Sequence, residues 1–304
     1  MKETTHIPTF CWVVDHKLGL GHAMRCATIS LILVKRGATV CPGDTDACPT
    51  HASVIVVDSK VFPRTLTQAA KETSIPIVVI DNLRAPSLPR YDLHIFPHPY
   101  TPPSITSRKL RSGSEYIVLN PKMVGIKPNI QHGRNLIISL GGTDPNHLTA
   151  ATLTRLHEIS YPKGVNVLFG RGFRDLAGTI AAPRPGGTGY SPFHHFWFDD
   201  AHAAIVGFGL TFYEMIHLGI PVMCLTHNNP DTNFVKAMAK HLGYGSEPAW
   251  WGGDAGNFTS PDAWRTWAAS PGAGSLELPD LDNLGAQRCA DLLLGVASLA
   301  EKVV

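Results

Sequence analysis

Residues 15–25 read Asp15-His16-Lys17-Leu18-Gly19-Leu20-Gly21-His22-Ala23-Met24-Arg25 and join an apolar run, Phe10 to Val14, to an amphipathic one, Ala23 to Lys35. The first run carries strand-forming Val13 and Val14. In the second, Met24, Ala27, Leu31 and Val34 recur at helical spacing and Gly37 supplies a C-terminal cap. The stretch therefore predicts a strand, a glycine loop and a helix start. Gly19 and Gly21 let a backbone approach a ligand closely, and the helix beyond them offers unpaired N–H groups and a positive dipole end, which favours phosphate or carboxylate. His22 stands at that helix start, where the neutral imidazole, able to accept a proton, is the favoured form. Local sequence allows equally that the ring only caps or packs the first turn.

Outward from this stretch the chain alternates. Ala52 to Val57 and Ile75 to Ile80 are β-branched runs ending at Asp58-Ser59-Lys60 and Asp81-Asn82, with a helix predicted over Arg64 to Thr73. Asp92 to Phe96 is a further strand, followed by the proline-rich loop Pro97 to Pro103 and the apolar run Tyr116 to Leu119. Pro121 to His132 lacks periodicity, which sets a domain boundary between residues 131 and 132. The alternation then restarts. Leu136 to Leu140 runs into Gly141-Gly142-Thr143-Asp144-Pro145-Asn146, a second glycine loop with Asp144 as N-cap and Pro145 at the first helical position. Val165 to Phe169 is the next strand, Arg174 to Ala182 a helix and Pro183 to Gly189 a surface loop. Ala203 to Val206 leads through Gly207-Phe208-Gly209-Leu210-Thr211 into a helix at Phe212, and Pro221 to Leu225 into Thr226-His227-Asn228-Asn229. Asp231 to Leu242 reads as a helix, Gly243 to Pro279 as a Gly/Pro/Trp-rich segment with a short helix at Asp262 to Ala269, and Leu284 to Lys302 as a helix.

Two alternating halves imply an α/β protein of two doubly wound, Rossmann-like domains, residues 1–131 and 132–304, with a cleft between them. Every loop singled out follows a strand, so the polar and glycine residues would line that cleft. Glu214 sits one turn into its helix, where its carboxylate would hold ribose hydroxyls while Gly207, Gly209, Leu210 and Thr211 receive a diphosphate. Thr211 and Glu214 fit a capping box equally well. Gly141, Gly142 and Thr143 form either a tight turn or a phosphate cradle. Neither GxGxxG nor GxxxxGK[ST] occurs, so no dinucleotide cofactor is implied. Trp250, Trp251, Trp264 and Trp267 are expected to pack the C-terminal region.

The 304 residues are 44% apolar and 16% charged with a net charge of +2, which marks no nucleic-acid or membrane surface. No apolar run reaches membrane-spanning length, and a soluble cytoplasmic protein is expected. Six cysteines show no CxxC pair and read as reduced thiols; among fifteen histidines no HExxH occurs, so no metal is expected.

Several strings resemble one family, the UDP-sugar hydrolases of pseudaminic acid biosynthesis with the related spore-coat polysaccharide proteins. They are Gly19-Leu20-Gly21-His22-Ala23-Met24-Arg25, the VVIDN ending at Asn82, Ile138 to Pro145, the GFGLTFYE of residues 207–214, LGIPV with Asn228, and Leu284-Gly285-Ala286-Gln287-Arg288. The resemblance implies the GT-B fold and no metal or cofactor, with a nucleotide sugar, a UDP sugar first, as partner. It implies that His22 is the general base for water attacking the anomeric carbon, with Lys60 beside it in place of the family's tyrosine. Gly21, Gly141, Gly142, Thr143 and the Gly207 to Thr211 loop would hold the diphosphate, Glu214 the ribose, and Asp15, Gly19, Asn82, Asn228 and Asn229 the sugar. A glycosyltransferase using the same donor, or a nucleotide-sugar-binding protein without turnover, are the alternatives. The GxGGST expected before the glutamate is Gly207-Phe208-Gly209-Leu210-Thr211 here, one glycine and one hydroxyl short.

Overall fold

The computed structural model describes residues 7–14, 20–43, 52–59, 74–82, 91–105 and 109–301. The chain divides into two compact units, Met1–Asn120 with Asp280–Val304, and Pro121–Pro279. Asp15, Gly19, Lys60 and the helix predicted at Arg64 to Thr73 lie outside the described residues.

The first unit contains β1 (Thr9–Val14), α1 (Leu20–Lys35), β2 (Thr39–Pro42), β3 (Val54–Asp58), β4 (Ile77–Ile80), β5 (Leu93–Phe96) and β6 (Leu110–Ser112). The strands form one sheet in the order β2-β1-β3-β4-β5-β6, every pair parallel. All residues of β3 and β4 are buried, which is why their sequences are unbroken apolar runs rather than alternating ones. Phe10, Trp12, Val54, Val56, Val78 and Ile80 point to one face, where Ile29 and Leu33 of α1 meet them. Cys11, Val13, Ile55, Val57, Ile77 and Val79 point to the other. Each such side chain removed from water contributes about 1.5–3 kcal/mol.

Three features differ from the sequence reading. The helical period of α1 was legible, but Met24, Leu31 and Val34 lie outward, with exposures of 37%, 60% and 54%, while Cys26, Ile29 and Leu33 face the sheet. The helix is apolar on two faces, so periodicity gave its type and not its orientation. Strands β2 and β6 are short edge segments without an apolar run, and the apolar run Tyr116 to Leu119 begins in a 3-10 turn, Ser114–Tyr116.

The second unit contains β7 (Asn135–Ser139), α2 (Leu148–Glu158), β8 (Gly164–Phe169), α3 (Leu176–Ala181), β9 (Thr188–Pro192), β10 (Ala201–Gly207), α4 (Leu210–His217), β11 (Val222–Thr226), α5 (Asn229–His241), β12 (Trp251–Asp254), β13 (Asn257–Phe258) and α6 (Pro261–Ala269). Its sheet order is β13-β12-β11-β10-β7-β8-β9, parallel except for β13, which turns back on β12. Strand β9 begins inside the Pro/Gly run expected as loop, and β12 and β13 fall in the Trp-rich segment. Trp250, Trp251, Trp264 and Trp267 are all buried, and the Trp264 indole N–H donates to the Gly252 carbonyl at 3.3 Å, so these rings are packing residues.

The last helix, α7 (Gly285–Glu301), returns to the first unit, whereas the sequence reading kept residues 132–304 together. Its Ala286, Cys289, Ala290, Leu293 and Ala297 join the core that contains Ile29 and Leu33. Gly285 fits because a Cβ there would overlap the Ile117 carbonyl, and Arg288 holds both oxygens of Asp282, at 2.7 and 2.6 Å, and the Glu115 carbonyl at 2.9 Å. The Gly285 and Arg288 of the Leu284 to Arg288 string thus dock the helix.

Candidate functional site

In the first unit the candidate site grows from the first turn of α1. Residues three and four apart share a helix face, so His22, Arg25 and Cys26 project together. Opposite them, β3 ends in Asp58, which is fully buried. His22 Nδ1 lies 2.5 Å from Asp58 Oδ1. Arg25 grips the same carboxylate with two prongs, Nε to Oδ2 at 2.7 Å and Nη2 to Oδ1 at 2.6 Å. Its Nη1 reaches Asp81 Oδ2 at 2.9 Å, and His98 Nε2 lies 2.7 Å from Asp81 Oδ1.

A carboxylate only accepts, so His22 Nδ1 carries a proton, and in the neutral ring Nε2 is the nitrogen with the lone pair. Arg25 Nη2 also lies 3.1 Å from His22 Nδ1; both are donors, and both serve Asp58 Oδ1. His22 is 8% exposed, and the hydrogen bond its ring makes among the described residues is the one from Nδ1 to Asp58. Burial alone would raise the Asp58 and Asp81 carboxyls. The Arg25 guanidinium overrides it, with His22 helping at Asp58 and His98 at Asp81, and holds both below the usual carboxylate range. Burial and the neighbouring Asp58 push the Cys26 thiol up, so it stays a thiol, 3.4 Å from Asp58 Oδ2.

Of the other residues singled out here, Gly21 is in the first turn of α1 and exposed. Asn82 is buried, and its amide donates to the Ser59 carbonyl at 2.6 Å, tying the end of β4 to that of β3. Asp58, Asp81 and His98 were missed, and Arg25 was quoted without a role. The available signal was that two strands, adjacent in the sheet, each end in an aspartate.

In the second unit the two glycine loops differ in who satisfies the helix that follows. At the first, the Asp144 carboxylate accepts the backbone N–H groups of Leu148 and Thr149, both at 2.9 Å. Asp144 caps as expected, but from further away: His147, in the left-handed conformation at φ 52°, is the N-cap, and Pro145 precedes the helix. Gly141 itself has φ 96°, a conformation that requires glycine. At the second loop Gly209, which has no side chain, is the N-cap of α4 and makes no side-chain cap hydrogen bond. Thr211 and Glu214 therefore lie inside the helix, and the capping-box reading does not hold. Glu214 is buried.

The His227 ring, at the end of β11, was not singled out as a site residue and stands beside both loops. A Cβ at Gly207 would meet its Nε2 at 3.4 Å and one at Gly141 at 3.8 Å, while Nε2–H donates to the Leu140 carbonyl at 2.9 Å. Gly142 and Thr143 pack against Gly170 and Gly172 of the loop after β8. Asn228 caps α5, accepting the Asp231 N–H at 3.0 Å and donating to its carboxylate at 2.8 Å; Asn229 opens that helix and is exposed.

No protein-family model matches the sequence, and comparison with curated proteins finds no match. Solved structures do resemble it. The glycotransferase of kitacinnamycin superposes with a TM-score of 0.59 at 13% identity, over 96% of this chain and 100% of that one. LpCGTa, in complex with UDP, gives 0.57 at 10% identity, over 96% and 100%. The UDP-N-acetylglucosamine 2-epimerase of Rickettsia bellii gives 0.54 at 11% identity, over 98% and 99%. At these identities the likeness is one of fold. The chain has the GT-B fold of the glycosyltransferases, two α/β units, each on a predominantly parallel sheet.

Proposed function

We propose that this protein is a hydrolase of a nucleotide-activated amino or deoxy sugar, UDP-linked in the first instance. The observation that carries the reading is the His22–Asp58 pair, which leaves Nε2 as a proton acceptor at a helix start. His22 Nε2 takes a proton from water, the water oxygen bonds to the anomeric carbon, and the bond from that carbon to the diphosphate oxygen breaks with its electron pair on the departing diphosphate. Asp58 stays ionised and stabilises the imidazolium formed on the way.

The second unit is assigned the nucleotide. The helix start at Gly209 to Thr211 has a glycine at its N-cap, which supplies no capping side chain of its own, and its N–H groups and dipole suit the charge growing on the diphosphate. The start of α2 already has the Asp144 carboxylate, which would repel a second anion, so Gly141 to Thr143 serve as a secondary contact. Glu214 is assigned the ribose. The solved neighbours support this reading through their names alone: one is in complex with UDP and one is named for a UDP sugar.

One observation favours a second reading. The outward apolar face of α1, Met24, Leu31 and Val34, would suit an acceptor with an apolar part, and a hydroxyl in place of water makes the same site a glycosyltransferase. Incubation of the purified protein with UDP-, CMP- and GDP-sugars, with and without alcohol acceptors, separates the readings. Nucleotide release without acceptor supports hydrolysis; release only with acceptor supports transfer; release from none of them rejects both.

A further inference from the structure

We propose that Arg25 is a positioning residue for the His22 imidazole, braced in turn by Asp81 and His98, so that four neighbouring strand ends together fix which ring nitrogen is free. The inference rests on the reading of His22 as proton acceptor and adds residues that reading does not need.

A carboxylate holding only the His22 ring could swing and accept from either side. Asp58 cannot, because Arg25 approaches in the plane of the guanidinium with one nitrogen on each oxygen, a pairing that a point charge such as lysine does not reproduce. Arg25 is held in the same manner: its third nitrogen meets Asp81 Oδ2, and Asp81 Oδ1 meets His98 Nε2. Asp81 adopts the left-handed conformation, φ 54°, which aspartate and asparagine tolerate and which directly follows β4. Strands β1, β3, β4 and β5 are consecutive neighbours in the sheet. The segments that follow or end them contribute, in order, His22 with Arg25, then Asp58, then Asp81, then His98.

The charges are arranged to match. Facing Arg25 are Asp58 from β3, Asp81 after β4 with His98 behind it, His22 and Cys26 on its own helix, and Cys289 from α7. Burial pushes the Cys289 thiol up to about 12, so neither it nor Cys26 adds charge at neutral pH. Two carboxylates face the one guanidinium, with His98 on the second oxygen of Asp81. An imidazolium formed at His22 meets the Asp58 carboxylate, which Arg25 already holds aligned. Leaving the fully buried Asp58 carboxylate without Arg25 would be strongly unfavourable.

The test reads the ring directly and needs no substrate. In ¹⁵N–¹H correlation spectra of the imidazoles, with the His22 signals assigned by their absence in His22→Gln, the wild-type protein is expected to show His22 protonated at Nδ1. Arg25→Lys keeps the charge and loses the fork, and is expected to show a mixture with the Nε2–H form. Asp81→Asn, which tolerates the same backbone, is expected to shift the balance in the same direction by less. On whichever nucleotide sugar is turned over, Arg25→Lys should lower kcat roughly tenfold with little change in KM. If folded Arg25→Lys keeps the wild-type Nδ1 proton, the proposal is overturned. If that variant does not fold, Asp81→Asn carries the comparison, and an unchanged ring there overturns it too. Absence of hydrolysis by the wild-type protein would reject the hydrolase reading while leaving the tautomer result standing, so the two failures are distinguishable.

Discussion

His22 Nδ1 and Asp58 Oδ1 are 2.5 Å apart, although 36 residues separate them in the chain, and the pairing dictates that in the neutral ring the lone pair is on Nε2. Replacing Asp58 by Asn keeps the shape and offers an amide donor to the ring, which favours the other tautomer. Asp58→Asn should lower kcat by about 10³-fold or more while leaving nucleotide affinity within about twofold, measured by turnover and calorimetry side by side. A fall in affinity with kcat unchanged would remove Asp58 from the chemistry.

The contrast between the two helix starts of the second unit gives a paired prediction. Glu214→Gln should weaken binding of a nucleoside diphosphate about tenfold, as expected for loss of charge-assisted hydrogen bonds to a ribose. Asp144→Asn should instead cost about 1 kcal/mol of stability through the weakened cap of α2, with affinity little changed. Calorimetric titration and denaturant unfolding of both variants check this, and the reverse pattern would move the diphosphate to the first loop.

His94, on β5, is buried between Tyr91 and Phe96 with neither ring nitrogen hydrogen-bonded, and burial lowers it from 6.5 to about 4. The unfolded chain therefore binds a proton that the folded chain refuses as pH falls from 6.5 toward 4, so stability declines across that window by about 3 kcal/mol. Asp58 and Asp81, held low in the folded state, contribute stability that is present above the ordinary carboxylate range and is lost only at more acid pH. His94→Leu should raise stability at pH 5 and flatten the slope between pH 7 and 4.5 in urea titrations. His202, also lowered by burial, leaves a residual slope of the same sign.

Docking of α7 depends on one small residue. Gly285→Ala places a methyl group on the Ile117 carbonyl, a backbone atom that cannot rotate away, and should destabilise the first unit by about 1–3 kcal/mol. Thermal unfolding checks it. A neutral substitution would mean that the start of α7 is free to shift.

Much of this architecture could be read from the chain because buried parallel strands are continuous apolar runs: Val54 to Val57, Ile77 to Ile80 and Leu136 to Ser139 are unmistakable. What periodicity could not give was direction. The apolar positions of α1 repeat on two faces, and the small-residue face of α7 says that it packs closely without saying on which sheet. His22 stands out in the sequence because a histidine after a glycine loop is unusual chemistry at a helix start. Its partners were not, because Asp58, Asp81 and His98 meet it through sheet order, a property of non-local pairing that spacing along the chain does not encode. Asn228 shows the converse: a polar residue at a strand end that the structure uses to cap α5.

The proposed mechanism requires His22 to draw a proton from the nucleophile that displaces a nucleoside diphosphate from a sugar. The most direct measurement compares wild-type protein and His22→Gln for nucleoside diphosphate release from the UDP-sugar panel, with UDP affinity measured on the same preparations. Release by the wild type is expected, with a loss of at least about 10³-fold in the variant and affinities that agree within about twofold. Release by His22→Gln at the wild-type rate would contradict it.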